Sequence, residues 1–274
     1  MVQLEKIIEQ FKIETEVPSV KLTAVRSKNI PVTVSKLGGK PYFPKGLEYP
    51  RNSAGIPLKL LAQLNFSELP KLENFPDKGI LQFYILSNDL MGLDFDDLTK
   101  QEDFRVLYHE EVLPSEKLQI NFSVLEENQD GEVIFPFDGE FILSGEVVNK
   151  AITPSDYRFD DLFNSFCEKM GCEKRFGYDP SCDEEFTETV WDNFSSQDNL
   201  MGGYPNFIQF DPRQDDEKFK KYDTLLFQLE SQFNKEAKKW DIIWGDAGVG
   251  NFFINLEDLK NCKFDDILYT WDCS

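Results

Sequence analysis

The sequence predicts an α+β fold of mostly antiparallel or mixed sheets, built from two pseudo-symmetric repeats with a few flanking helices. Three observations carry that expectation. Leu37-Gly38-Gly39-Lys40-Pro41-Tyr42-Phe43 returns as Met201-Gly202-Gly203-Tyr204-Pro205-Asn206-Phe207. Each copy is followed by an apolar run around a glutamine, Leu60-Leu61-Ala62-Gln63-Leu64 and Leu225-Leu226-Phe227-Gln228-Leu229. Two further matches then come in the same order: Gly79–Ile85 with Gly248–Ile254, and Val106-Leu107-Tyr108 with Ile267-Leu268-Tyr269. Ordered matches at nearly constant offset are the mark of a duplicated unit.

The elements follow from periodicity. Leu4, Ile7, Ile8 and Phe11 fall on one face of an opening helix. Pro18 and Pro31 bound the next segment, and short strands then alternate with Gly and Pro turns: Leu58–Leu64, Gly79–Leu86 and Phe104–Tyr108. The stretch of about 114–198 has no counterpart in either copy. It reads as a strand at Leu118–Val124 and a hairpin of Glu132–Phe137 with Glu140–Val148. A helical stripe of Phe159, Leu162, Phe163, Phe166, Cys167 and Met170 follows, then a short helix through Phe186, Val190 and Phe194. From 199 the strands resume at Thr224–Leu229, Asp241–Trp244, Val249–Asn255 and Asp266–Trp271. Neither half closes a core alone. The expectation is one domain over 1–274, with half A at about 30–113, a middle insertion at about 114–198, and half B at about 199–274.

Composition narrows the function classes. Fifty acidic against 29 basic residues leave −21, a field that repels phosphate and argues against nucleic-acid binding. The same field attracts a basic protein partner over long range. No stretch of 18 apolar residues exists to span a membrane. The acidic amphipathic start has no signal-peptide pattern. Cys167, Cys172, Cys182, Cys262 and Cys273 are odd in number and irregular in spacing, which fits free thiols in a reducing cytoplasm.

Chemistry-bearing motifs are sparse. The single histidine, His109, rules out a multi-histidine metal centre and reads as a solvated strand end beside Glu110 and Glu111. Gly245–Asn251 lacks the Gly-Lys-Ser/Thr ending and following helix of a phosphate loop, so a tight turn is expected. Cys167, Cys172 and Cys182 match no zinc spacing. Asp94, Asp96 and Asp97, with Asp265 and Asp266 at the comparable later place, read as exposed acidic turns able to attract a hard cation. Gln63 and Gln228 sit among apolar neighbours, so each must bond backbone or line a cleft between the halves. Arg213 either clamps an anion or pairs with Asp211 or Asp246. With Trp244 these form the candidate cleft lining: Gln63, Gln228, Arg213, Asp211, Trp244 and Asp246. No catalytic, cofactor-binding or metal-binding residue is assigned, and no cofactor is expected.

The same segments carry a resemblance. Ser35–Gly46, Leu60–Phe66, Phe75–Ile85, Met201–Pro205, Phe210-Asp211-Pro212-Arg213, Trp244–Ile254 and Leu268–Cys273 together resemble the YwqG-like bacterial proteins, loosest over 114–198. The resemblance implies an α+β fold with mixed sheets. That family has no established activity or agreed catalytic residues, so no residue role is carried over. Some relatives sit among contact-dependent toxin systems, which implies immunity as one form of partner binding. The leading expectation is a non-catalytic cytoplasmic protein that binds a partner. The alternative is an enzyme or small-ligand binder using the inter-half cleft, and a third is a structural or stress-related role.

Overall fold

Val20 and Leu22 turn into the core at alternate positions of an eleven-residue strand, β1 (Val17–Ser27). In this computed structural model, which describes residues 2–119, 121–123, 134–194 and 197–274, β1 stands at the centre of a ten-stranded sheet. It pairs along its whole length with β6 (Glu140–Lys150), from Val17 opposite Lys150 to Ser27 opposite Glu140. Beyond β6 lie β2 (Lys36–Gly38), β3 (Lys59–Asn65), β4 (Ile80–Ile85) and β5 (Phe104–His109). Beyond β1 lie β7 (Asn199–Met201), β8 (Thr224–Glu230), β11 (Val249–Ile254) and β12 (Ile267–Asp272). Each neighbouring pair is antiparallel. β9 (Gln232–Asn234) and β10 (Lys239–Ile242) form a separate two-stranded ribbon.

The sheet curls into a nearly closed barrel, and aromatic rings show how. Phe83 of β4 lies 4.9 Å from Phe227 of β8 and 4.8 Å from Phe252 of β11. Phe104 of β5 lies 5.2 Å from Tyr269 of β12. The loop between β4 and β5 seals that seam: Tyr269 N–H donates to Leu98 O at 2.9 Å, and its hydroxyl to Met91 O at 2.8 Å. Two bulges shape the wall. Leu61 is skipped in the β3–β4 register and Leu226 in the β8–β11 register, so Leu61 and Ala62, and Leu226 and Phe227, turn consecutively into one core. The bulges explain why β3 and β8 read as continuous apolar runs instead of alternating ones.

A helical layer forms a second core. α1 (Val2–Thr15), α2 (Phe159–Lys169) and α3 (Glu184–Asn193) meet around Phe11, whose ring centroid is 5.0 Å from Phe163, 5.6 Å from Phe159 and 5.4 Å from Phe166. A short α4 (Leu256–Lys260) links β11 to β12, capped by Asn255 Oδ1 accepting from Glu257 N–H at 3.0 Å.

Several expectations need correction. The hairpin of 132–137 with 140–148 does not form: residues 132–133 lie outside the described residues, 134–137 are not strand, and β6 instead pairs with β1 and β2. Pro18, in β1's second position, hides that strand from pattern reading, because proline is tolerated only near strand ends or edges. Of the expected strand 118–124, residues 120 and 124 lie outside the described residues and Leu118 makes only an isolated bridge to Pro44. Leu162 and Met170 extend the helical stripe in sequence but stand exposed.

Candidate functional site

The six cleft candidates do not all come together. Gln63 is fully buried on the outer face of β3. Its Oε1 accepts Tyr42 N–H at 2.8 Å, and its Nε2 donates to Val32 O and Val34 O, each at 2.8 Å. Gln228, buried on β8, accepts Asn206 N–H at 2.7 Å and donates to Asp198 O at 2.8 Å. Beside them, Gln82 Nε2 donates to Tyr42 O at 2.7 Å and Asn251 Nδ2 to Asn206 O at 2.9 Å. The two glutamines therefore hold their own overlying loops and do not meet in a cleft. Trp244 is buried against the open side of Gly250, where a Cβ would come within 2.5 Å of its ring. Asp246 is exposed in the turn after β10, where Ser274 Oγ donates to its carbonyl at 2.7 Å.

Arg213 and Asp211 do belong together. Both are buried, with Arg213 Nη2 2.6 Å from Asp211 Oδ2 and 3.4 Å from Asp156 Oδ2. The guanidinium also stacks over Phe253 at 4.1 Å and Tyr157 at 5.1 Å. Arg158 grips Asp156 from the other side through Nε at 2.7 Å and Nη2 at 2.6 Å. Two arginines and two aspartates make a neutral, hydrogen-bonded cluster, which is the condition for burying charge without a large penalty.

Asp156, Arg158 and Asp211 of that cluster, with Lys220, line a groove of about 730 Å³ between α2, α3 and the loop around Phe207–Gln214. Its mouth is aromatic. Tyr178 is 77% exposed, Phe210 57%, Leu162 47% and Trp191 39%, although a folded chain ordinarily scatters such side chains singly. Tyr178 and Trp191 meet edge-on at 6.4 Å. Asp160 and Asp161, in the first turn of α2, stand among these rings. Burial, reinforced by Asp161, pushes the Asp160 carboxyl above the usual range. Exposed Glu184, Glu185, Glu188 and Asp192 extend the acidity along α3. Sequence reading missed this site because Leu162 looked like part of a core stripe, and because Tyr178 and Phe210 lie in loops without periodicity. The available signal was Asp160-Asp161-Leu162, two acids beside an apolar residue at a helix start.

The remaining motifs are structural in place. His109 is not a solvated strand end: its ring packs edge-on to Tyr42 at 5.1 Å, Nε2 lies 3.0 Å from Gln82 Oε1, and burial pushes its pKa down to about 4. Asp94 Oδ1 accepts Asp96 N–H at 3.0 Å, and Asp97 Oδ1 accepts Thr99 N–H at 3.0 Å, so these carboxylates shape their own turn. Cys167 lies in the helical core, where burial pushes its thiol up to about 12. Among the described residues, no group of three or more His, Cys, Asp or Glu side chains is arranged to hold a metal ion. No helix among them is long and apolar enough to cross a membrane.

Comparison with curated proteins finds no match. Residues 35–273 match the family described as a domain of unknown function, DUF1963, a span that takes in the barrel strands from β2 to β12 and the aromatic groove. The chain belongs to that family.

Proposed function

We propose that this protein acts without catalysis, by binding a basic protein segment in the aromatic, acidic groove beside α2. The observation that carries the reading is the convergence of Tyr178, Trp191, Phe210 and Leu162 with Asp160 and Asp161. A lysine or arginine side chain entering there meets ring faces and carboxylates together, and cation–π contact contributes about 0.5–2 kcal/mol. Aromatic anchors are the residues on which binding energy concentrates. The overall charge of −21 adds fast, salt-sensitive approach. Immunity toward a toxin is one concrete form of this role, and a cytoplasmic setting suits it.

We also take the chain to be a duplicated unit. Supporting this are the matched bonds of Gln63 and Gln228, of Gln82 and Asn251, and the bulges at Leu61 and Leu226. The paired Gly-Gly corners add to it: a Cβ on Gly39 would lie 2.3 Å from Glu140 Oε2, and one on Gly203 2.2 Å from Ser19 Oγ.

The test is capture from lysate at low salt, identification of what a high-salt wash releases, and titration of that purified protein against variants. The expected partner is basic, binds one to one, and loses about tenfold or more in affinity to Trp191→Ala and to Asp160→Lys/Asp161→Lys. A partner that binds both variants as tightly as the parent chain contradicts the groove, as does self-association as the sole interaction.

A further inference from the structure

We propose that a second cavity, at the end of the sheet where β1 and β2 finish and β3 and β6 begin, binds a small anion with a flat apolar body. This goes beyond the partner reading and uses no residue of the groove. The cavity holds about 690 Å³, within the usual range for small-molecule sites. Its apolar lining is Ile30, Val32, Leu60, Phe135 and Phe137. Its charged lining is Arg26, Lys28, Lys40 and Lys59 against only Asp138 and Glu140. In a chain of net charge −21, a local excess of cations is an inversion.

Those cations are unequally occupied. Arg26 is committed, donating to Asp241 Oδ1 at 3.0 Å and Asp138 O at 2.7 Å, with its guanidinium 4.5 Å over Phe141. Lys59 Nζ reaches Ser87 Oγ at 3.3 Å and lies 5.8 Å over the Phe135 ring. Lys28 and Lys40 make no ion pair among the described residues. Behind the turn that carries Lys40 stands Lys36, fully buried, whose Nζ donates to Pro31 O at 3.1 Å and to Lys40 O. No carboxylate contacts that ammonium among the described residues. Glu140, the carboxylate that acts on Lys36 from a distance, is turned to Ile30 N–H at 3.4 Å. A buried ammonium held by carbonyls alone adds to the positive field behind Lys40, and an anion bound among Lys28, Lys40 and Lys59 offsets that field. Gly38 and Gly39 bring backbone to the cavity edge: a Cβ on Gly38 would press to 2.9 Å from Phe137, so the ring keeps its place only beside glycine.

The head group is a phosphate or a carboxylate, and the two are separated by titrating the protein with 1-naphthyl phosphate, 1-naphthoate and 1-naphthol, followed by fluorescence. One saturable site is expected for at least one of the anions, with 1-naphthol weaker by about tenfold or more. Lys28→Glu/Lys40→Glu, at exposed positions that leave folding intact, is expected to weaken the anion by about tenfold or more. A filled cavity, Val32→Trp, is expected to abolish binding of anion and neutral compound alike while Trp191→Ala leaves both unchanged. Absence of saturable binding by either anion overturns the proposal, as does equal affinity for 1-naphthol or for the charge-reversed protein.

Discussion

Both ends of the sheet hold loops through buried side-chain amides, Gln63 with Gln82 and Gln228 with Asn251, and they differ in the row beside them. At the β3–β5 end, Asn65, Ile80 and His109 stand opposite one another across three strands. At the β8–β12 end the corresponding row is Glu230, Val249 and Asp272. The first end is built of neutral groups: Asn65 donates to Thr33 O at 2.8 Å, and burial keeps His109 uncharged. The second buries two carboxyls. Burial pushes Glu230 up to about 8, though Asn206 Nδ2 donates to it at 2.9 Å. Burial likewise pushes Asp272 up to about 6, though Ile208 and Gln209 N–H groups donate at 2.9 and 2.7 Å. One scaffold thus tolerates opposite titration behaviour in rows that touch its amides: His109 Nε2 lies 3.0 Å from Gln82 Oε1, and Gln228 Nε2 donates to Glu230 Oε1 at 3.2 Å.

The outer faces diverge as well. Phe253 of β11 carries the Arg213 guanidinium, whereas Tyr84 of β4 is met edge-on by Tyr49 at 5.9 Å. The largest expected effect follows from that contrast. Arg213→Met strands Asp211 in the interior, while Asp156 keeps Arg158, and should cost about 3–5 kcal/mol in urea unfolding, with a marked loss of Tm. Tyr49→Leu, at the other end, should cost distinctly less.

Next come the amides. Gln63→Leu removes the partner of the Tyr42 amide and of two carbonyls, and should cost about 1–3 kcal/mol in all once the overlying loop lets water reach them. Gln228→Leu orphans fewer groups and should cost less, although Glu230 then also loses a donor at 3.2 Å. Equal and negligible losses would break the view that both glutamines pin their loops.

The pH effects are smaller and opposite in sign. Glu230 has a raised pKa in the fold, so its folded form holds a proton that the unfolded chain has lost, and stability falls as pH rises from about 4.5 to about 8. Glu230→Gln should flatten that decline and stabilise the protein at pH 8.5 by about 1–3 kcal/mol. His109 has a lowered pKa, so its contribution is present above 6.5 and is lost as pH falls toward about 4. His109→Gln should remove that acid limb, changing Tm at pH 5 relative to pH 7 by less than Glu230→Gln changes it at high pH.

How much of this was legible in the residues depends on whether a local signal existed. The strands around Gln63 and Gln228 were readable because their bulges place consecutive apolar residues in one core, and glycine pairs mark the corners beside them. The Phe11 and Phe163 faces were readable from helical spacing. β1 was not, since Pro18 interrupts its alternation, nor was the central place of β6, which depends on pairing with a strand more than a hundred residues away. The groove was illegible for a similar reason: Asp160, Tyr178, Trp191 and Phe210 converge only once α2, α3 and the loop before Arg213 are packed. Lys28, Lys40 and Lys59 are scattered in sequence, and only the shared end of four strands collects them.

The most direct measurement is hydrogen–deuterium exchange on the complex with the captured basic partner. The account predicts new protection over residues 157–163, 176–178, 188–192 and 207–214, absent with Asp160→Lys/Asp161→Lys. Protection confined to other surfaces, or unchanged in that variant, would contradict it.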